Sequence, residues 1–240
     1  MQSLTRPYPV SLPMIILVSL VPFYVFIPGL FQGRAVHSPE VTWDRLVPLQ
    51  PIWAVIYGAL YLCLILLPVF IVRAKELLRR TVLAYLMVWI TAYIFFLVYP
   101  TAAPRPAQLI GDGFAVWGLR FLYDADPPYN CFPSLHVAHS FVSAFACYHV
   151  HRTVGITAIL AAAVVGVSTL FTKQHYILDV LAGVLLAAVA YALFLRTAPH
   201  GEAAEFDRRV APAFALGTLG IAGLGTAAFL VAYQLLSLQR

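Results

Sequence analysis

At 240 residues, with 62% hydrophobic and only 10% charged positions, this chain departs from soluble globular domains, in which roughly a quarter of residues are charged. Seven long apolar runs exclude an ordinary soluble enzyme and point to an all-α, polytopic helical membrane protein. The formal charge of +5 then matters through where the cations sit; the expected partner is the bilayer, and no nucleic acid is expected.

The first apolar run spans about Val10 to Phe31, behind Arg6, and contains Pro13, Pro22 and Pro28. It is long, and no small-residue cleavage site follows it, so it reads as a retained span and not as a signal peptide. A polar connection with His37, Glu40, Asp44 and Arg45 leads to a second span, about Pro51 to Val72, whose Trp53 and Tyr57 suit an interfacial belt. Arg73, Lys75, Arg79 and Arg80 follow together, opposed only by Glu76. Positive connections stay in the cytoplasm, which places the N-terminus inside and sends the third span, about Thr81 to Tyr99, outward. Residues 100–133 then form an outer-face loop, long enough to carry function.

The fourth span, about Ser134 to Val150, returns to an inner turn at His151 and Arg152. A fifth runs from about Val154 to Phe171 and a sixth from about His175 to Leu195, after which Arg196, Arg208 and Arg209 mark the inside again. A seventh run, about Pro212 to Leu238, ends outside; its Gly217, Gly220, Gly223 and Gly225 offer a face for close backbone approach, within the chain first and in a homodimer otherwise. The whole of 1–240 reads as one membrane domain. Cys63, Cys131 and Cys147 lack metal-ligand spacing. Cys131, in the outer connection, is the cysteine expected to be open to a membrane-impermeant thiol reagent.

Two stretches carry chemistry. SerThrLeuPheThrLysGlnHisTyrIleLeuAsp at 168–179 sets His175 and Asp179 four residues apart, on one helical face. A carboxylate near hydrocarbon costs about 2.5–3.5 kcal/mol on insertion scales, so such a pair marks a functional site or a structural tie between helices. CysPheProSerLeuHis at 131–136 ends in a second His at the start of another apolar segment. The charge rule brings Arg105–Pro106, Ser134–His136 and Lys173–Asp179 to the same outer face, as a site for an anion on a lipid would require.

These residues suit phosphoryl transfer: one imidazole attacks phosphorus, a carboxylate orients it, and a second imidazole protonates the departing oxygen. Arg105, Lys173, the Ser134 hydroxyl and the free amides after Pro133 can meet the phosphate charge. No cofactor and no metal is expected; two His and one Asp could ligate zinc, without supporting spacing. His139, one turn past His136, reads as a hydrogen-bonded packing residue ahead of a proton relay. Asp112, Asp124 and Asp126 read as solvated loop carboxylates, His149 and His151 as interfacial, and Tyr129 and Asn130 as shaping the turn. Trp117, Phe121 and Tyr123 read as headgroup-level aromatics or simple packing.

ProSerLeuHis at 133–136, then Ser168, His175 and Asp179, resembles the type 2 phosphatidic acid phosphatase superfamily, over about Thr81 to Leu195. That superfamily's pattern is Lys, six residues, Arg-Pro; Pro-Ser-x-His; then Ser-Arg with His five residues on and Asp four beyond. The resemblance implies His175 as the nucleophile that forms a phosphohistidine, Asp179 as its orienting partner and His136 as general acid. Ser134, Ser168 and Arg105 would hold phosphate oxygens. It also implies a six-helix core, with the C-terminal helix at 212–238 as an addition.

Val98 stands where the pattern has Lys, and Thr169 where it has Arg. Lys173 and Arg120 are candidate replacements. The loss is similar to the inositol phosphorylceramide synthase and sphingomyelin synthase branch, as is TyrProThrAlaAlaProArgPro at 99–106. The resemblance therefore implies a lipid phosphatase, with a phospho-headgroup transferase as the alternative and a catalytically silent lipid-binding or transport protein as the next. A haloperoxidase fits least, because those proteins are soluble.

Overall fold

In hydrocarbon each backbone N–H and C=O must be paired within its own segment, so apolar runs of this length fold as helices. The structure, a computed structural model, describes residues 12–31, 35–126, 128–198 and 205–238. Its helices are α1 Leu12–Leu20, α2 Phe23–Gly29, α3 Ile52–Ile71, α4 Lys75–Val98, α5 Phe114–Ala125, α6 Leu135–Val150, α7 Arg152–Phe171, α8 Ile177–Ala190 and α9 Glu205–Ser237. α8 continues through a π turn at Tyr191–Leu195. Among the described residues α3, α4, α7, α8 with its π turn, and α9 are long and apolar enough to cross a membrane. The chain is a polytopic helical membrane protein.

The first expected span differs from expectation. Pro22 has no N–H to donate and would clash with the preceding turn, and the run is broken there into α1 and α2. Arg6 and Val10 lie outside the described residues. The third span starts earlier than expected, at Lys75, where Glu76 pairs with both Arg79 and Arg80 one turn on. The loop at 100–133 is not merely a loop: α5 forms within it and lays Trp117 and Phe121 against Phe229 of α9.

Helix α6 is the axis of the bundle. At 16 residues it is shorter than the roughly 20 needed to span hydrocarbon. Its neighbours α3, α4, α7 and α8 bury most of its length. That burial in protein accounts for its polar content: Ser140 donates to the His136 carbonyl at 2.7 Å, and Ser143 lies 2.7 Å from the Tyr85 hydroxyl. His139 is packed, with Tyr85 at 4.5 Å between ring centroids, but its Nδ1 has no hydrogen-bond partner among the described residues.

The glycines of the last helix also depart from expectation. Among the described residues a Cβ placed on Gly217, Gly220, Gly223 or Gly225 would meet nothing within 4 Å, so they make no close backbone contact there. Close approach occurs instead at Gly155, against Tyr148, and at Gly183, against Ser134.

The helix ends sort by charge. Arg80 of α4 donates to Thr197 and to the Phe194 carbonyl beyond the far end of α8. The N-termini of α3, α6 and α8 and the C-termini of α4 and α7 gather at the opposite end. There the connections are tied together: the Ala102 N–H donates to His37, the Ala103 N–H to Pro128, and the Gln50 N–H to Phe171.

Candidate active site

Three helix ends build the site. α6 starts where the Ser134 hydroxyl accepts from the Val137 N–H at 3.3 Å, an N-cap that leaves the hydroxyl proton free to donate. α7 closes with a Schellman turn. The Gln174 N–H donates to the Thr169 carbonyl and the Lys173 N–H to the Leu170 carbonyl, with Lys173 at φ +54 where glycine usually sits. α8 opens under two carboxylates: Asp179 Oδ2 accepts from the Tyr176 N–H and Asp44 Oδ1 from the Ile177 N–H, each at 2.8 Å. Both meet unpaired donors at the positive end of the helix.

A direct bond joins two of these ends, from the Ser134 N–H to the Asp179 carbonyl at 3.0 Å. It brings the two motif stretches into register. His175 Nδ1 lies 3.4 Å from Asp179 Oδ2, and His175 Nε2 lies 3.4 Å from His136 Nδ1. All three are buried, at 4%, 0% and 7% exposure, so little water competes for their hydrogen bonds. Asp179 Oδ1 has no hydrogen-bond partner among the described residues.

The ring of His136 is enclosed by tyrosines. Tyr57 and Tyr61 of α3 and Tyr24 of α2 stand edge-on to it, at 5.7, 5.1 and 5.7 Å between centroids. The Tyr24 hydroxyl lies 3.1 Å from His136 Nε2 and donates to Asp126 Oδ1 at 2.8 Å. Asp126 is buried, not solvated as expected. Asn130 donates to its Oδ1 at 3.3 Å, and Arg105 lies 3.5 Å from its Oδ2 while donating to its carbonyl at 2.8 Å.

Arg105 thus reaches this network, with its guanidinium 4.5 Å above the Tyr123 ring and its Nε without a partner among the described residues. Burial pushes the Tyr123 hydroxyl up to about 12, and it donates to the Thr172 carbonyl at 2.6 Å. Other expected phosphate groups point elsewhere. Lys173 Nζ is on the Asp44 carbonyl at 3.2 Å. Arg120 donates to the Leu109 and Gly111 carbonyls and faces Asp112. The Ser168 hydroxyl donates to Val165 of its own helix. Carbonyls within reach capture these donors. At the two cation positions of the resembled pattern, Val98 is 77% exposed and Thr169 is fully buried, donating to Gly166.

Cys131 corrects another expectation. It is 1% exposed, with Sγ near the Pro128 and Gln174 carbonyls. Burial, and then the nearby Asp179 and Asp126 charges, push its thiol well up. Its Sγ, a ring nitrogen of His175 and a carboxylate oxygen of Asp179 lie within 4.8 Å of one another, a donor set hidden by the spacing in sequence. A metal there would use the atoms that already form the His175–Asp179 pair. Tyr24, Tyr57, Tyr61, Asp126 and Asp44 are site residues that motif spacing does not reveal, since each reaches the site from another helix or connection.

The PAP2 superfamily matches residues 41–193. A PA-phosphatase related-family protein of Dictyostelium discoideum is 29% identical over 110 residues, covering 39% of this chain and 20% of that protein. The chain therefore spans about a fifth of the length of that relative. No solved structure matches.

Proposed function

The chain belongs to the PAP2 superfamily, and from that membership and the site we propose a membrane enzyme that acts on a lipid-linked phosphate through a phosphohistidine, without a metal. The alignment of Asp179, His175 and His136 through successive ring nitrogens carries this reading. With Nδ1–H donated to Asp179, His175 Nε2 keeps its lone pair for phosphorus. A nitrogen–phosphorus bond forms, the phosphorus–oxygen bond breaks, and the departing oxygen takes a proton from His136. In the second half His136 takes a proton from water or from a lipid hydroxyl, whose oxygen attacks phosphorus and frees His175.

Arg105 Nε, the Ser134 hydroxyl and the α6 N-terminus would meet the phosphate oxygens. An apolar crevice of about 310 Å³ between α3, α5 and α9, lined by Gly58, Leu62, Phe121, Ala222 and Phe229, suits an acyl chain. Arg79 and Arg80 lie at the end of the bundle away from the site, so the positive-inside rule would turn the site outward and the N-terminus to the cytoplasm. This fits a plasma or inner membrane with the site facing the exterior or periplasm.

A phospho-headgroup transferase of the inositol phosphorylceramide synthase type is the second reading. What favours it is that positions 98 and 169 bring no cation to the site while Asp126 faces Arg105. A singly charged phosphodiester loses less there than a dianionic monoester. The test gives purified protein a panel of lipid phosphates and a labelled phosphodiester lipid, with and without a ceramide or diacylglycerol acceptor. Free phosphate from a monoester supports the phosphatase, and label on the acceptor alone supports the transferase. A panel that stays untouched would overturn both and leave a silent lipid-binding protein, and turnover in His175→Ala would overturn the phosphohistidine.

A further inference from the structure

The proton on the Tyr24 hydroxyl can go to only one partner, and its direction decides what His136 can do. Asp126, beside Arg105, is a carboxylate that can only accept, so the Tyr24 proton points to Asp126 Oδ1 across 2.8 Å. The Tyr24 oxygen is then left with lone pairs toward His136 Nε2 at 3.1 Å, which must carry the hydrogen of that contact. The reactive nitrogen of His136 is therefore Nδ1, which faces His175 Nε2. Resting on the phosphohistidine reading above, we propose that Tyr24 and Asp126 are positioning residues that hold His136 in the one tautomer able to serve as general acid and then as general base.

Further features of the site support this assignment. Asn130 donates to the same Asp126 oxygen at 3.3 Å and Arg105 braces its carbonyl, so the carboxylate is fixed from two other points of the chain. Tyr57 and Tyr61 enclose His136 by edge-on ring packing, at 5.7 and 5.1 Å between centroids. When His136 is doubly protonated, Nε2–H binds Tyr24, whose hydroxyl relays the Asp126 charge to the imidazolium, and Nδ1, beside His175 Nε2, is the nitrogen left to give its proton to the leaving oxygen of a phosphate that enters there. After that proton is given up, the bare Nδ1 takes one from the attacking water or hydroxyl, and the ring need not turn.

Tyr24→Phe removes the acceptor and Asp126→Asn reverses the dipole: an amide N–H can donate to Tyr24, freeing the tyrosine proton to occupy His136 Nε2. Each is expected to lower kcat for alkyl phosphates by up to about 100-fold, the lower end of general acid catalysis, with KM little changed. For a p-nitrophenyl leaving group, which departs without a proton, the loss in the first step should shrink to a few-fold. Burst kinetics with that substrate should show phosphoenzyme forming within a few-fold of the parent rate and breaking down slowly. Equal loss of the phosphoenzyme-forming step for both leaving groups in both variants, or no loss in either, would overturn the proposal. His175→Ala keeps the two readings apart: turnover without a trapped phosphoenzyme sinks the phosphohistidine itself, whereas an inert His175→Ala with leaving-group-independent Tyr24→Phe sinks only this assignment.

Discussion

Gly183 of α8 packs against Ser134 so closely that a Cβ placed on it would lie 2.6 Å from the Ser134 carbonyl oxygen. This contact sits one turn beyond Asp179 and beside the bond from Ser134 N–H to the Asp179 carbonyl, so it sets the separation of α6 and α8 where His136 and Asp179 project. Gly183→Ala must push the helices apart, at about 1–3 kcal/mol for an overpacked contact. Turnover is expected to fall more steeply than thermal stability, because His136 and Asp179 ride on the two displaced helices. Melting temperature and kcat measured on the same detergent preparation check this; unchanged kcat would show that the contact does not set the site.

Thiol labelling should find all three cysteines silent in the native protein. Cys63, Cys131 and Cys147 are 7%, 1% and 0% exposed, and burial raises the Cys131 thiol, which keeps it out of the reactive thiolate form. A maleimide should modify them only after denaturation. Orientation is then read with introduced cysteines: Ile110→Cys, at a position 95% exposed near the site end, should label in intact cells. Lys75→Cys, at the basic end, should label only after the membrane is opened. The reverse pattern would put the chemistry on the cytoplasmic face.

Lys173 holds a left-handed backbone at φ +54, which costs a non-glycine residue about 1–2 kcal/mol. Lys173→Gly and Lys173→Ala both lose the amino group, but only glycine adopts that turn freely, so the glycine variant should be the more stable of the two by about 1 kcal/mol. Since Nζ is held by the Asp44 carbonyl, KM for phosphomonoesters is expected to stay at the parent value in both. A shared rise in KM, larger for monoesters than for diesters, would show that the amino group leaves Asp44 for the phosphate.

Asp179→Asn places an amide where His175 Nδ1–H needs an acceptor, and the imidazole is expected to lose the tautomer that bares Nε2. The loss should exceed about 100-fold in kcat, in line with a mis-set tautomer in a nucleophile–base pair. The same Oδ2 accepts from the Tyr176 N–H at 2.8 Å, so an amide oxygen that stayed on that donor would also keep His175 Nδ1 its acceptor. A kcat near the parent value would report that outcome and overturn the tautomer argument. Chelators should leave the parent activity intact. Activity lost to a chelator and restored by a divalent metal would favour a metal on Cys131, His175 and Asp179 over the phosphohistidine.

The apolar runs made the membrane-helical class legible without any structure, since about 20 consecutive apolar residues have few other stable destinations. The pair His175 and Asp179 was legible because four residues is a local spacing, but not as two positions on one helical face: α8 starts at Ile177, and His175 meets Asp179 from the connection ahead of it. The break at Pro22 was visible as a residue but not as an outcome, because proline in an apolar run can kink a span or end it. What surrounds His136 was decided by tertiary packing alone. Tyr24, Tyr57, Tyr61 and Asp126 come from α2, α3 and the end of α5, and no spacing along the chain relates them. The directions of Lys173 and Arg120 were decided the same way, by which carbonyls came within reach once the connections were tied together. A long cationic side chain takes whichever partner the fold brings to it, and only the assembled bundle determines which one that is.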